Sequence, residues 1–320
     1  YFGVNTYTAG IFRAWFSMGS ENTAIQLACL LILLVGFILI LERMTQKQSK
    51  FYYQTNTKQK PLTIPKLSTR FAIYMSCSVP FFLGFLIPLI YILNNSIQQF
   101  MMVDFSRLFA LSFNSIKVSF IASVFIILIA LFFLYVEKIS KLKLNTFITN
   151  ITSLGYVIPG AVIGLAVILL FTQFPLFNNH LLVGSFFVLI YAYVFRFLAV
   201  GKSPIKSSLD KQPKAFEDSS KVLGISSFKA LRTIHLPLNK MALVIAFIVT
   251  FIDLLKELPI TLILRPFNFD TLATQTYEFA VEEMLKASSI YSLMIIVIGS
   301  VLLILLKYIT NKQIHAFRSF

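Results

Sequence analysis

The sequence contains few residues of the kinds that form disulfides, metal sites or catalytic centres. Its 320 residues include two cysteines and three histidines, and both cysteines, Cys29 and Cys77, lie in apolar stretches. This arrangement excludes a disulfide framework and a Cys-x-x-Cys metal site. We therefore expect neither a cofactor nor a bound metal ion.

Charged residues are also scarce. They make up 13% of the chain, against 57% hydrophobic residues that include 34 phenylalanines, and the mean hydropathy is +0.80. A soluble domain carries about 25% charged residues, so this composition predicts an all-α, polytopic membrane protein. A transmembrane helix needs about 20 mostly apolar residues. About seven stretches qualify, namely 24–41, 71–93, 112–136, 148–172, 181–200, 241–263 and 288–307.

The few basic residues are unevenly distributed between the predicted spans. Of the 28 lysines and arginines, 21 lie in the alternate segments 42–70, 137–147, 201–240 and 307–320. The positive-inside rule places these segments in the cytoplasm. The N-terminus of this chain is then outside and its C-terminus cytoplasmic. The net charge of +15 is explained by a cytoplasmic face and requires no nucleic-acid partner.

The longest polar segment with helical periodicity runs from Phe216 to Pro237. Phe216, Ser219, Ser220 and Leu223 have the spacing of one helix face. Gly224 is suited to end this helix in the left-handed conformation. A second short helix can begin after Ser226 or Ser227, and Pro237 can begin the next apolar helix. The pattern predicts a helix–Gly–helix elbow between two spans.

This elbow resembles the coupling loop of permease subunits of binding-protein-dependent ABC importers. That pattern is Glu-Ala-Ala, three residues, Gly, nine residues, then Ile-x-Leu-Pro; here Asp-Ser-Ser replaces Glu-Ala-Ala at 218–220. The resemblance implies docking of a cytoplasmic ABC ATPase dimer. Since the sequence contains no Gly-x-x-x-x-Gly-Lys-Ser/Thr loop, we expect ATP to be hydrolysed on that separate subunit. The implied ATPase-coupling residues are Glu217, Asp218, Ser219, Ser220, Gly224, Phe228, Leu231, Ile234, Leu236 and Pro237.

A second group of candidates lies in the predicted span 241–263. It contains Asp253, Lys256 and Glu257, followed by Pro259 and then Arg265. Asp253 and Glu257 have the spacing of one helix face. Ionisable residues at membrane depth are functional candidates, so these five residues are predicted to line a translocation path or gate. The alternative is a structural role, in which Lys256 is neutralised by Asp253 or by a charge on another span.

Two stretches resemble the ferric-iron branch of these permeases. They are the run from Asp253 to Ala273 and the opening run from Gly3 to Trp15. The resemblance implies a bacterial inner-membrane permease, surrounded by lipid, for ferric iron delivered by a periplasmic binding protein. Permeases for thiamine and other small solutes are close relatives and remain alternatives.

The segments 5–16 and 270–281 are similar to one another. Both begin with Asn or Asp followed by Thr, aromatic residues coincide at Phe12 and Tyr277, and one span with a basic tail follows each. Such internal similarity is typical of duplicated transporters. We predict that 1–41 is the end of a first repeat, 42–70 a cytoplasmic linker, and 71–320 a second six-helix repeat with coupling loop 201–240.

Two further features carry expectations about packing. Gly160 and Gly164 form a GxxxG pair, which permits close helix approach either to the other repeat or within its own. Arg196 lies near the end of span 181–200 and is expected to extend toward the lipid headgroups.

Two other classes of function are less consistent with the sequence. A membrane-embedded enzyme would need Asp253, Lys256 and Glu257 to converge with a histidine. The topology, however, separates His180 from His235 and His315 across the membrane, and we predict no enzymatic activity in this chain. A secondary transporter using the intramembrane charges as a proton relay has no need of an ATPase dock.

The topology is testable by cysteine labelling from outside the cell. A cysteine replacing Asn179 should react with a membrane-impermeant maleimide, because it lies in a predicted external loop. A cysteine replacing Lys211 should react only after the membrane is permeabilised. The reverse pattern would contradict the assigned orientation.

Overall fold

The computed structural model describes residues 6–46, 66–140, 145, 148–149, 151–152, 154–173, 182–212 and 215–318. Within these ranges the chain is helical and contains no strand, which confirms the all-α prediction. The α-helices are α1 (Tyr7–Phe12), α2 (Glu21–Gln46), α3 (Leu67–Phe81), α4 (Ile87–Gln99), α5 (Phe105–Ser140), α6 (Gly160–Gln173), α7 (Phe186–Asp210), α8 (Ala215–Val222), α9 (Ser227–Ala230), α10 (Leu236–Leu255), α11 (Pro259–Leu264), α12 (Leu272–Val281) and α13 (Leu285–Arg318).

Short π-helical segments adjoin several of these helices. Arg13–Ser17 continues α1, Phe82–Leu86 joins α3 to α4, and Leu231–His235 joins α9 to α10. In the described ranges, six helical stretches are long and apolar enough to cross a membrane. They are Glu21–Ile38, Leu67–Met102, Phe105–Ile139, Phe186–Asp210, Ser227–Leu255 and Leu285–Asn311. With the shorter apolar helix α6, they account for about seven predicted spans.

The predicted span 148–172 was wrong over its first part. Residues 148, 149 and 151 are helical, but a 3-10 turn follows at Leu154–Tyr156 and α6 begins only at Gly160, so the stretch is not one continuous helix. Pro159 explains the late start, because proline has no backbone N–H and disfavours helical conformation in the residue before it. Its carbonyl accepts the first hydrogen bonds of α6, from the N–H groups of Val162 and Ile163. Helix α6 is consequently a short helix entered through an irregular turn.

Helices α5, α7 and α10 form the centre of the bundle. Helix α5 contributes a buried stripe at every fourth residue, formed by Val118, Ala122, Ile126, Ala130 and Leu134. Gly201 of α7 lies against this stripe, since a Cβ atom there would come within 2.6 Å of Ile126 Cγ2. The small residues allow these backbones to approach closely, as is usual between membrane helices. The elbow continues from the ends of α7 and α10 and is therefore attached to this core.

Helices α1 and α2 pack on α6. The buried residues Ile11, Ala24 and Ala28 of these helices, with Ala14 of the π-helical segment that continues α1, form one apolar cluster with Ala161, Val162 and Leu165. The two glycines of the GxxxG pair face elsewhere, Gly160 toward Arg196 and Gly164 toward Ile263. The pair thus packs α6 against α7 and α11, which belong to the same predicted repeat as α6.

The two similar segments of the sequence form similar local structures. Thr6 and Thr271 each cap a helix, accepting hydrogen bonds from the N–H groups of Ala9 and Thr274. A left-handed residue then precedes the next long helix, Gly19 after α1 and Glu283 after α12. Gly19 lies 13 residues beyond its cap (19 − 6) and Glu283 12 beyond its own (283 − 271). A π-helical turn is an α-helical turn with one inserted residue, so Arg13–Ser17 accounts for the difference.

Candidate functional site

The first arm of the elbow ends as the sequence predicts. Helix α8 stops at Val222, and Gly224 has a φ of +64°. The N–H of Ile225 donates to the carbonyl of Ser220 at 2.9 Å, which is the six-residue closure of a Schellman motif. The turn satisfies a terminal carbonyl of α8 and reverses the chain. A residue with a Cβ atom would be strained at Gly224.

The second arm differs from the expectation. Ser226 caps α9 through the N–H of Lys229, but no new helix begins at Pro237, because the helical path from Ser227 to Leu255 is unbroken. The π-helical turn Leu231–His235 precedes the proline. A π turn shifts backbone pairing by one residue, which accommodates a residue without an N–H inside the path. The second arm and α10 are therefore one continuous helix.

The tip of the elbow presents apolar side chains to the surface. Phe228, Leu223 and Val222 are 74%, 72% and 87% exposed, and Phe216 is 41% exposed. We call these four residues the elbow patch. Of the predicted small contact residues, Ser219 is exposed but Ser220 is 7% exposed, so Ser220 packs within the chain and offers no surface. Leu231, Ile234 and Leu236 are half-buried and Pro237 is exposed; the side chains of Glu217 and Asp218 lie outside the described part of the chain.

The base of the elbow makes polar contacts with α5 and α7. The hydroxyl of Tyr135 donates to the carbonyl of Ser227, and its ring packs edge-on against buried His235. His235 Nδ1 lies 2.8 Å from Gln212 Oε1, and Lys138 Nζ donates to the same oxygen at 3.2 Å. Sequence reasoning found His235 only as a possible base and missed the other three residues, because no local pattern relates positions so far apart.

The charges at the other end of α10 form three separate groups. Helix α10 ends at Leu255 and α11 begins at Pro259, so the prediction that Asp253 and Glu257 share one helix face was wrong. Lys256 pairs with Asp253 at 3.0 Å, with the lysine side chain 62% exposed. This pair agrees with the alternative in which Asp253 neutralises the charge of Lys256.

Glu257 is the buried member of the group, with its side chain 2% exposed. Its carboxylate accepts from Arg196 Nη1 at 2.8 Å and from the backbone N–H groups of Ile260 and Thr261 at 3.2 Å each. It thus caps the N-terminus of α11, where a helix has unpaired donors and a favourable dipole. The expectation that Arg196 extends to the headgroups was wrong, because a buried carboxylate lies within its reach.

Arg265 belongs to the third group. It pairs with Asp270 and, at 2.7 Å, with Glu278 of α12. A cavity of about 780 Å³ lies between the α1 segment and the α11–α12 segment. Its lining includes Phe12, Arg13, Pro259, Arg265, Tyr277 and Glu278. Of the five predicted path residues, the structure brings Pro259 and Arg265 to this cavity, while Asp253, Lys256 and Glu257 do not line it.

The described residues contain no group of three or more His, Cys, Asp or Glu side chains placed to hold a metal ion.

The sequence contained a pattern that could have identified Arg13 and Glu278 as lining residues of the cavity. These positions coincide when 5–16 and 270–281 are aligned on Thr6 and Thr271.

Comparison with protein families and curated sequences identifies relatives of this chain. Residues 135–315 match the family described as "Binding-protein-dependent transport system inner membrane component". The chain is 25% identical over 312 residues to the "Fe(3+)-transport system permease protein FbpB 2" of Haemophilus influenzae, an alignment covering 94% of this chain and 60% of that protein. It is 33% identical over 102 residues to the "Putative ferric transport system permease protein FbpB 1" of the same organism, covering 32% and 16%. The chain thus spans 60% of the length of the first relative.

Two solved structures share the fold. One is a bacterial alginate ABC transporter in complex with a periplasmic protein bound to an alginate pentasaccharide, with TM-score 0.62 and 14% identity over 77% of this chain and 94% of that chain. The other is a bacterial ABC transporter involved in the import of alginate, with TM-score 0.60 and 12% identity over 77% and 96%. At these identities the likeness shows the fold alone.

The stability of the protein should depend more on the ion pair of Glu257 with Arg196 than on that of Asp253 with Lys256. Glu257→Gln leaves Arg196, whose side chain is 20% exposed, with no charged partner. Breaking a fully buried pair costs about 3–5 kcal/mol, and the partial exposure of Arg196 makes this an upper bound. Asp253→Asn affects a pair whose lysine is exposed, and such pairs contribute about 0–1 kcal/mol. We expect the melting temperature in detergent, followed by size-exclusion chromatography of heated samples, to fall clearly for Glu257→Gln and to change little for Asp253→Asn. Equal melting temperatures would contradict the structural role of Glu257.

Proposed function

From the premise that the chain belongs to the family of binding-protein-dependent transport system inner membrane components, we propose that it is a membrane-spanning permease component of an ATP-driven importer. The family and the six long apolar helices identify a multi-pass inner-membrane protein. The observation that carries the transport proposal is the elbow, because its turn and exposed apolar tip form a surface for a partner protein at one end of the helical bundle.

The elbow docks a cytoplasmic ABC ATPase. Four apolar side chains at its tip are exposed, and burial of aromatic and aliphatic anchors contributes most of the energy of a typical protein interface. The Schellman turn at Gly224 fixes the angle between its two arms. ATP is hydrolysed on the separate ATPase dimer and not by this chain, whose 320 residues contain no phosphate-binding Gly-x-x-x-x-Gly-Lys-Ser/Thr loop.

The transported substrate is ferric iron, delivered by a periplasmic binding protein. Two curated relatives are named as Fe(3+) or ferric transport permeases, and one of them aligns with 94% of this chain. A structural neighbour was solved in complex with a periplasmic protein, which supports the same kind of partner here. Substrate passes the cavity lined by Pro259 and Arg265, while the pairs of Asp253 with Lys256 and of Glu257 with Arg196 maintain the helix break beside it.

The proposal also includes the orientation of the chain in the membrane and its division into two repeats. The basic segments, including coupling loop 201–240, face the cytoplasm, and the N-terminus of this chain faces outward. The matching Thr6 and Thr271 caps, each followed by a left-handed turn and a long helix, support residues 1–41 as the end of one repeat and 71–320 as a second repeat. Segment 47–65 of the predicted linker lies outside the described residues.

Docking is testable by co-purification from membranes that contain the cognate ATPase. The wild-type chain should retain the ATPase. Gly224→Val should insert normally but retain it poorly, because a β-branched residue at positive φ costs roughly 1–3 kcal/mol of strain. Gly36→Val is the matched control, since Gly36 lies in a helix with open space around it. Equal ATPase retention by Gly224→Val and the wild type would contradict the coupling role.

Substrate identity is testable by uptake in cells that lack the chromosomal transporter. Expression of the intact transporter should restore uptake of ⁵⁵Fe supplied as ferric citrate, and it should not restore uptake of labelled thiamine. Restoration of thiamine uptake alone would overturn the assignment to iron but keep the importer. Loss of restored uptake when the ATPase cannot bind ATP is expected; uptake independent of the ATPase would indicate a secondary transporter.

A further inference from the structure

The polar contacts at the base of the elbow connect it to two helices of the core. They involve Tyr135 and Lys138 of α5, Gln212 just beyond α7, and His235 of the π-helical turn, which we call the His235 cluster. His235 is 4% exposed, whereas Tyr135, Lys138 and Gln212 are half-buried. The packed helices therefore enclose these contacts only in part.

The chemistry of the cluster fixes its hydrogen-bond directions. A lysine ammonium can only donate, and Lys138 lies 3.2 Å from Gln212 Oε1, so this atom is an acceptor. His235 must therefore donate from Nδ1 to the same oxygen, 2.8 Å away. Gln212 thus joins α7 to both α5 and the elbow through a single oxygen atom.

The other contacts of the His235 cluster involve the second arm of the elbow and the start of α10. Tyr135 donates to the carbonyl of Ser227, the first residue of α9, and packs against the His235 ring. Asn239, one turn further along α10, donates to the carbonyl of His235 at 2.6 Å. Because the path from Ser227 to Leu255 is one unbroken helix, a displacement of the elbow tip moves α10 directly. Helix α7 is joined to the first arm of the elbow by the chain itself, whereas α5 can follow only through its side-chain contacts with the elbow, α7 and α10.

We propose that the His235 cluster is a mechanical link by which movement of the elbow reaches the end of α5, with Gln212 as its central positioning residue. The inference rests on the proposed docking of an ATPase at the elbow. It assigns to Gln212, Tyr135, Lys138 and His235 a role in transmission, distinct from the docking role of the exposed elbow patch. Loss of the cluster should leave docking intact and reduce the nucleotide-driven movement that reaches the end of α5.

A pair of substitutions at Gln212 separates transmission from folding. Gln212→Met has similar length but no acceptor oxygen, so it removes the contacts with Lys138 and His235. Gln212→Glu keeps an acceptor for both donors and should behave as the wild type. Each variant is purified with its ATPase, and amide hydrogen exchange is compared between the nucleotide-free complex and the complex trapped with ADP and vanadate.

In the wild type and Gln212→Glu, trapping should change exchange in 215–235 and also in the adjoining end of α5 (130–140). In Gln212→Met the change in 215–235 should persist, while the change at the end of α5 should shrink about fivefold or more, as expected for loss of an allosteric coupling. Exchange without nucleotide should be the same in all three proteins. The variants Tyr135→Phe and Gln212→Met should be non-additive in this response, since both remove polar contacts that join α5 to the elbow.

Several outcomes would overturn the inference. A wild-type change at the end of α5 in Gln212→Met would show that transmission does not need the cluster. Faster exchange in nucleotide-free Gln212→Met would show that the cluster only stabilises the fold. Failure of the wild-type chain to retain the ATPase would instead remove the proposed docking function, and this inference with it.

Discussion

The break between α10 and α11 is the constraint on which this end of the structure depends. In a lipid environment each unpaired backbone group costs several kcal/mol, and a helix that starts within the bundle has N–H groups without partners. Glu257 supplies the acceptors for two of them. Its buried charge then requires an opposite charge, which Arg196 provides at 2.8 Å. The break, the cap and the ion pair are therefore interdependent.

The ion pair in turn determines which residues can surround it. Gly160, the first residue of α6, lies against both Arg196 and Glu257, and a Cβ atom there would collide with the guanidinium. Tyr193 of α7 bonds Thr261, whose hydroxyl also contacts the Glu257 carboxylate. Helix α6 is held in this position and provides the surface on which α1 and α2 pack. The cavity lined by Pro259 and Arg265 lies between these segments, so its shape depends on the same interactions.

At the opposite end the bundle combines a rigid core with an exposed elbow. The small residues of α5 and α7 allow close packing, whereas the elbow places large apolar side chains on the surface. The continuous helix from Ser227 to Leu255 joins the two ends covalently, and the His235 cluster joins them through side chains.

The sequence by itself determined the features that depend on local backbone chemistry and on the length of apolar runs. It predicted an all-α membrane protein, the left-handed turn at Gly224 and a helix cap at Ser226 or Ser227, because glycine and serine favour these conformations in their own segments. Only the tertiary structure decided the partners of the charges. Arg196 and Glu257 are 61 residues apart, and no periodicity relates them; burial selected this pair because an isolated charge in the bundle is far costlier than a paired one. The sequence likewise gave no indication of Tyr135, Lys138 and Gln212. Their contacts at the base of the elbow form only where three separate helices meet in the folded chain.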